Sequence, residues 1–488
     1  MNLRQISSRP PRAFIAALVS LAILILTPLG ATTLAVEIQG VQPIAFDQPQ
    51  VELMLQPEAG GNPYLADIGF GIKLFNITAF LDTGSSGIVI DRRTADPLGV
   101  PREPGVTFED VAIGGGTEFA VSQPVNVRLV GNGNIDVGNL ATFGTVYNQV
   151  YNSVRLQIGP TNISPDPLSE ALDIVGMPVM MGKTVVMDPK PLNQTGGFPE
   201  PMKTYIYDPG TPFDPAHADS NPGIPTTSHH VALSYGNFDR FTQTTPDGAV
   251  PPAQNHNPFI GPNPVRAFET NPPVDNTPPV SIGYGGHQTE GSFLLDSGAV
   301  ASFISTKLAE NLNVRYVAGT FGTPEPRLEV FDPLVPEAPG SEISNQFFLP
   351  VQGIGGVVTV SGFFLDSLLL HTQEGGANID DPNHIRYLGA PVYVNDIELT
   401  DAITQATLTL DGIFGMNFMV ASAFLEPDLN IGETAAGPYN WVTFDEPNGV
   451  LGLDLGIVVP EPGSIVLAAI GAVALAVYGW RRRRRVAG

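Results

Sequence analysis

Two apolar runs in this chain end on an Asp-(Thr/Ser)-Gly triplet, Leu81-Asp82-Thr83-Gly84 and Leu295-Asp296-Ser297-Gly298, and each has an apolar-apolar-Gly run far downstream. The downstream runs are Ile174-Val175-Gly176-Met177-Pro178-Val179-Met180 and Ile413-Phe414-Gly415-Met416-Asn417-Phe418-Met419. They agree at four of seven positions, and Asp173 and Asp411 stand just before them. Gly176 follows Asp82 by 94 residues and Gly415 follows Asp296 by 119. A lone triplet of this kind is a common turn cap in β proteins. Two copies in a fixed order restrict the chain to two similar lobes, each bringing one carboxylate to a shared site.

Between these landmarks, apolar and polar residues alternate in short bursts, as in Val125-Asn126-Val127-Arg128-Leu129 and Thr407-Leu408-Thr409-Leu410, bounded by Gly, Pro, Asn and Asp. A period of two with turn residues between bursts predicts β-strands. The 53 Gly and 47 Pro suit an all-β chain with many turns. The clearest helix is expected over Thr306–Leu312, with Ser305 as its cap. From Tyr205 to Pro279 the composition shifts to Pro, Asn, Asp and Thr, with Pro pairs at 251–252, 272–273 and 278–279. Proline withholds a ladder donor, so this stretch is a connector or insertion with room for a strand or two. The expected organisation is lobe 1 over 36–204, an interlobe segment over 205–279 and lobe 2 over 280–457.

The two ends carry addresses. Arg4, Arg9 and Arg12 precede an apolar stretch from Ala13 to Leu29 and small residues at Ala31 and Ala35, the layout of a signal peptide over 1–35. At the other end, Ile465–Trp480 has sixteen uncharged residues, followed by Arg481–Arg485. As a helix it spans roughly 24 Å, a little under the ~30 Å hydrocarbon core, and five cations hold its far end in the cytoplasm. Together with Val459-Pro460-Glu461-Pro462-Gly463-Ser464, residues 458–488 resemble the PEP-CTERM sorting signal of Gram-negative bacteria. That resemblance implies export, a membrane contact through this helix at least before processing, and an exosortase-type processing enzyme as partner. A surface or released protein is the expected product.

Residues 36–459 hold 15 basic against 47 acidic groups, a net charge of −32. A nucleic-acid partner is excluded by this balance, since phosphate neutralisation needs clustered Lys and Arg. The chain has no cysteine, so disulfides and structural thiolate metal sites are absent and stability must come from packing.

The paired triplets, and the late strands Trp441-Val442-Thr443-Phe444-Asp445 and Gly449-Val450-Leu451-Gly452-Leu453, resemble the pepsin-like aspartic peptidases over most of residues 60–455. The resemblance implies two β-barrel-like lobes and a catalytic pair, Asp82 and Asp296. Thr83, Gly84, Ser85, Ser297, Gly298 and Ala299 would support the pair, while Gly176 and Gly415 would be packing elements. Two carboxylates about 3 Å apart cannot both ionise cheaply, so they share a proton. One member then takes a proton from an attacking water while the other donates to the peptide carbonyl, with no metal or other cofactor required.

The chain also departs from that pattern. After the first triplet comes Ser85, whose hydroxyl is expected to bond Asp82, whereas Ala299 after the second has none; a less acidic working range would follow. The hairpin that closes the cleft in the family corresponds to Phe108–Gln123, with a turn at Gly114-Gly115-Gly116 and no Tyr. Gly115 and Phe119 are the substrate-side candidates there, with Phe119 and Phe108 equally readable as core. No basic pro-segment precedes lobe 1.

Other signals are weaker. Gly182-Lys183-Thr184 lacks the glycine spacing of a phosphate loop. Asp214, His217, Asp219, His229 and His230 read as a solvated connector rather than a metal site, and Asp380 and Asp381 as a loop rather than a calcium site. No Gly-x-Ser-x-Gly elbow is present. The expected activity is an exported aspartic endopeptidase, monomeric, acting on polypeptides. The competing reading is a non-catalytic surface or matrix protein that keeps the same fold.

Overall fold

In the computed structural model, residues 36–85, 87–112, 115–134, 138–159, 172–193, 200–235, 259–261, 280–353, 356–400, 407–420, 423–425, 431–434 and 438–455 are described. Strands dominate, and they gather into two large curled sheets and a smaller bridging one. The first large sheet has nine strands, in the spatial order Gln149–Val154, Val125–Leu129, Gln50–Pro57, Ile77–Leu81, Ile174–Val175, Ile88–Ile90, Gln157–Ile158, Gly115–Ser122 and Arg102–Ala112. The second has eleven. Its path runs Ser234–Tyr235, Phe259–Gly261, Phe293–Leu295, Gly412–Phe414, Phe303–Ile304, Ile385–Val394, Gly356–Leu370, Val280–Tyr284 and His287–Gly291. Val36–Gln39 and Phe347–Gly353 are added to it at the sides.

The duplicated motifs occupy equivalent places in the two sheets. Ile174 and Val175 run parallel to Phe80 and Leu81 and antiparallel to Val89 and Ile88. Likewise Gly412–Phe414 runs parallel to Phe293–Leu295 and antiparallel to Phe303–Ile304. A strand that inserts between the two arms of a loop brings backbones close, which explains the glycine after each run. A Cβ on Gly176 would lie 2.3 Å from the Ser85 carbonyl oxygen, and one on Gly415 would lie 2.3 Å from that of Ala301. Only glycine tolerates that approach.

The third sheet joins the halves. Its five strands run Lys203–Tyr207, Thr184–Asp188, Tyr439–Asp445, Val450–Leu455 and His229–Ala232, so early and late parts of the chain lie side by side. Thr184–Met187 pairs antiparallel with Val442–Asp445. Packed on this framework is one apolar cluster containing Leu53, Ile88, Met177, Val185, Phe363, Tyr387, Phe418 and Leu453, each at most 1% exposed. Every such Leu, Ile or Phe contributes on the order of 1.5–3 kcal/mol by leaving water, which is how a chain without disulfides is held.

Several boundaries differ from the sequence reading. Val36–Gln39 lies parallel to Ile385–Leu388 in the second sheet, so the first residues of 36–204 pack with lobe 2. Lys203–Tyr207 crosses the expected border at 204, and the late strands belong to the bridging sheet. The expected helix is present at Thr306–Asn311, with the Ser305 hydroxyl accepting from the Leu308 amide at 3.2 Å. A helix at Arg92–Leu98 was hidden by Pro97; Asp91 caps its start and Gly99, at φ 71°, its end. The expected signal peptide at 1–35 and the expected apolar helix in 458–488 lie outside the described residues. Among the described residues no helix is long and apolar enough to cross a membrane.

Candidate active site

Each triplet sits on the loop leaving a buried strand, Ile77–Leu81 in one lobe and Phe293–Leu295 in the other. The hydroxyl residues lock the loops together. Thr83 Oγ1 donates to the Leu295 carbonyl at 2.8 Å and accepts from the Ser297 amide at 3.0 Å. Ser297 Oγ reciprocates, donating to the Leu81 carbonyl at 2.7 Å and accepting from the Thr83 amide at 3.0 Å. Both side chains are 1% exposed. A hydroxyl alone among small side chains both donates and accepts, so Thr or Ser is required at each position, and the four bonds form a two-fold arrangement.

That lock sets the carboxyls face to face. A Cβ on Gly84 would lie 2.7 Å from Asp296 Cγ, and a Cβ on Gly298 2.4 Å from Asp82 Cγ. Each glycine therefore carries the opposite lobe's carboxyl directly upon it. Asp82 Oδ1 accepts from the Gly84 amide at 2.7 Å and Asp296 Oδ1 from the Gly298 amide at 2.8 Å. The two side chains also hydrogen-bond one another.

Electrostatics follow from this crowding. Burial pushes the Asp82 carboxyl up, opposed by its hydrogen bond to Asp296 and by the amides of Gly84, Gly298 and Ser85. Asp296 is held well above the usual carboxylate range by burial and by the Asp82 charge beside it, with the amides of Gly298 and Ala299 opposing. The pair therefore retains one proton between them as pH rises. Asp82 and Asp296 are each half-buried rather than sealed in the core.

Other candidate residues are placed as follows. The Ser85 hydroxyl donates to the Gly87 carbonyl at 3.2 Å, and it is the Ser85 amide that acts on Asp82. The expectation that the Ser85 hydroxyl bonds Asp82 is thereby corrected. Ala299 is partly buried and packs against an apolar cluster that includes Leu294, Ala301, Phe303 and Ile413. Phe119 is 0% exposed and packs with Val89, Val121 and Ile174, which makes it a core residue and not a cleft wall. Gly115 pairs with Ala112 at the end of the hairpin, and Phe108 lies opposite Phe119 in register.

The sequence reading missed a second hairpin. Phe347–Gly353 pairs with Gly356–Leu370, which pairs in turn with Ile385–Val394, as Arg102–Ala112 pairs with Gly115–Ser122 and that with Gln157–Ile158, so each lobe has one. It also missed Gln48, whose Nε2 donates to the Gly298 carbonyl. The His and Asp residues of the connector do not gather: His217 pairs with Asp214, and His230 with Glu374. Asp381 accepts from the amide of Asn383 within its own loop. Among the described residues no group of three or more His, Cys, Asp or Glu is placed to hold a metal.

Comparison with known proteins adds two findings. The PEP-CTERM protein-sorting motif matches residues 458–484. This marks an exported protein sorted to the cell envelope of a Gram-negative bacterium and implies processing by an exosortase. Among solved structures, the chain is similar to an aspartic proteinase from Irpex lacteus at 11% identity and a TM-score of 0.30, covering 84% of this chain and 95% of that one. No curated protein matches the chain.

Proposed function

We propose that the protein is an exported aspartic endopeptidase in which Asp82 and Asp296 activate a water for attack on a peptide bond. The observation that carries this reading is that each carboxyl rests on the glycine of the other lobe's triplet, which brings the two acids close enough to share one proton. In the reactive form one carboxyl is ionised and accepts a proton from the attacking water, while its protonated partner donates to the carbonyl oxygen, and the pair titrates as a unit. The Thr83–Ser297 lock holds the geometry without touching the reacting atoms. Each lobe contributes one hairpin, and the two would flank an extended polypeptide.

The test is hydrolysis of a denatured protein by the purified protein across acidic to neutral pH, with and without pepstatin. Asp82→Asn and Asp296→Asn are each expected to lower kcat about 10²–10⁴-fold, the span attributed to a positioned acid or base. Activity that neither substitution changes would reject the mechanism.

A further inference from the structure

The stretch from Val41 to Pro49, between the first strand of each large sheet, runs past both triplets. Asn417 Nδ2 donates to the Gln42 carbonyl at 3.4 Å, and the Ala45 amide donates to the Val300 carbonyl at 2.7 Å. Gln48 Nε2 donates to the Gly298 carbonyl, and the Leu81 amide donates to the Pro49 carbonyl at 2.8 Å. Asp47 Oδ2 fixes the far side by accepting from the Met202 amide at 2.9 Å. One short strap thus holds the strand that leads into Asp82 and the loop that follows Asp296.

Within this strap, we propose that Gln48 is a positioning residue for Asp296, a reading that rests on the peptidase assignment above. Gly298 is held from two sides: its carbonyl accepts from Gln48, and its amide donates to Asp296 Oδ1 at 2.8 Å. Gln48 accordingly anchors the residue whose N–H holds the Asp296 carboxyl and on which the Asp82 carboxyl rests, while the Ala299 amide turns to the Asp296 backbone carbonyl at 3.3 Å. A donor fixed in place is aimed at the anion without reorganising. The side chain of residue 299 is a methyl, so no hydroxyl shares that task. The ionisable groups against Gly298 are Asp296 and Asp82 from the two loops, while Asp47, next to Gln48 in the strap, turns its carboxylate to the amides of Met202 and Gln48.

Loss of the Gln48 donor leaves the Gly298 amide less firmly aimed at ionised Asp296. The pair then holds its proton to higher pH and the alkaline limb of the pH–activity profile moves upward. Gln48→Met keeps the length and removes the donor. It is expected to shift the limb up by about half a pH unit, the size of one modest hydrogen bond, and to lower kcat severalfold with little change in KM. Gln48→Glu should shift it further, by adding an anion. Gln42→Met is the control, because the Gln42 side chain reaches only the Gly40 carbonyl within the same segment.

A second measurement stands apart from turnover: the pH dependence of unfolding, as the difference between each strap variant and its Asp296→Asn partner. Gln48→Met should displace the inflection of that difference upward while Gln42→Met leaves it in place. Equal inflections for the two strap variants would overturn the role of Gln48. If no variant hydrolyses peptides yet the inflection still moves, the peptidase assignment fails and the positioning role survives.

Discussion

Thr83 and Gly298 carry the most structure per atom. The Thr83 hydroxyl is buried and satisfies both the Leu295 carbonyl and the Ser297 amide. Thr83→Val keeps the shape and strands both groups, so it is expected to cost about 2–4 kcal/mol, readable as a lower urea midpoint at unchanged slope. Ser297→Thr, which retains the hydroxyl, should cost far less. Gly298→Ala places a methyl where the Asp82 carboxyl now lies. Displacement by about 1 Å at a reacting centre costs on the order of 10²-fold, and kcat is the quantity to measure. At this scale the sequence was informative, since the triplets named both acids and both locking hydroxyls. It was silent on the direction of each hydroxyl and on Gln48, because nothing in the spacing places residue 48 beside residue 298.

At the scale of elements, the duplicated apolar-apolar-Gly runs disclosed the inserted strands, since a glycine forced by close backbone approach leaves a sequence trace. Parallel pairing across hundreds of residues leaves none, so sequence order alone groups the first strand with its chain neighbours in lobe 1. Val36–Gln39 pairs with Ile385–Leu388, with Val36 and Ile38 packed on the core. Ile38→Asp should therefore loosen the second lobe, and hydrogen exchange at Ile385–Leu388 is expected to accelerate about tenfold or more while Ile77–Leu81 stays protected. Phe119 likewise read equally as cleft or core, because alternation in a strand gives two faces without saying which one meets a second layer.

For the molecule as a whole, two buried groups oppose each other in their response to pH. His371 is 1% exposed, its Nε2 beside the Ser281 hydroxyl at 3.1 Å and its ring against His384 at 4.9 Å. Burial and the neighbouring imidazole lower it to about 4. The unfolded chain therefore binds a proton there that the native state refuses, and stability falls as pH drops from about 6.5 to about 4. Asp173 is pushed up to about 6 by burial, despite bonds from the Thr94 hydroxyl and the Asp91 amide. There the native state keeps a proton that the unfolded chain releases, so stability falls as pH rises from about 4 to about 6. Each amounts to about 3 kcal/mol, and between pH 4 and 6 they nearly cancel. Replacing His371 with Gln should expose the Asp173 contribution as a falling stability over that interval, measured by thermal unfolding at half-unit steps.

The last described strand, Val450–Leu455, is hydrogen-bonded between Tyr439–Asp445 on one side and His229–Ala232 on the other. A force applied to the tail that follows it is thus resisted along two ladders at once, in shear, by the sheet that joins the lobes. Traction during processing at the envelope would load that joint and spare the carboxyl pair, so the body can endure handling by its C-terminus without being unravelled.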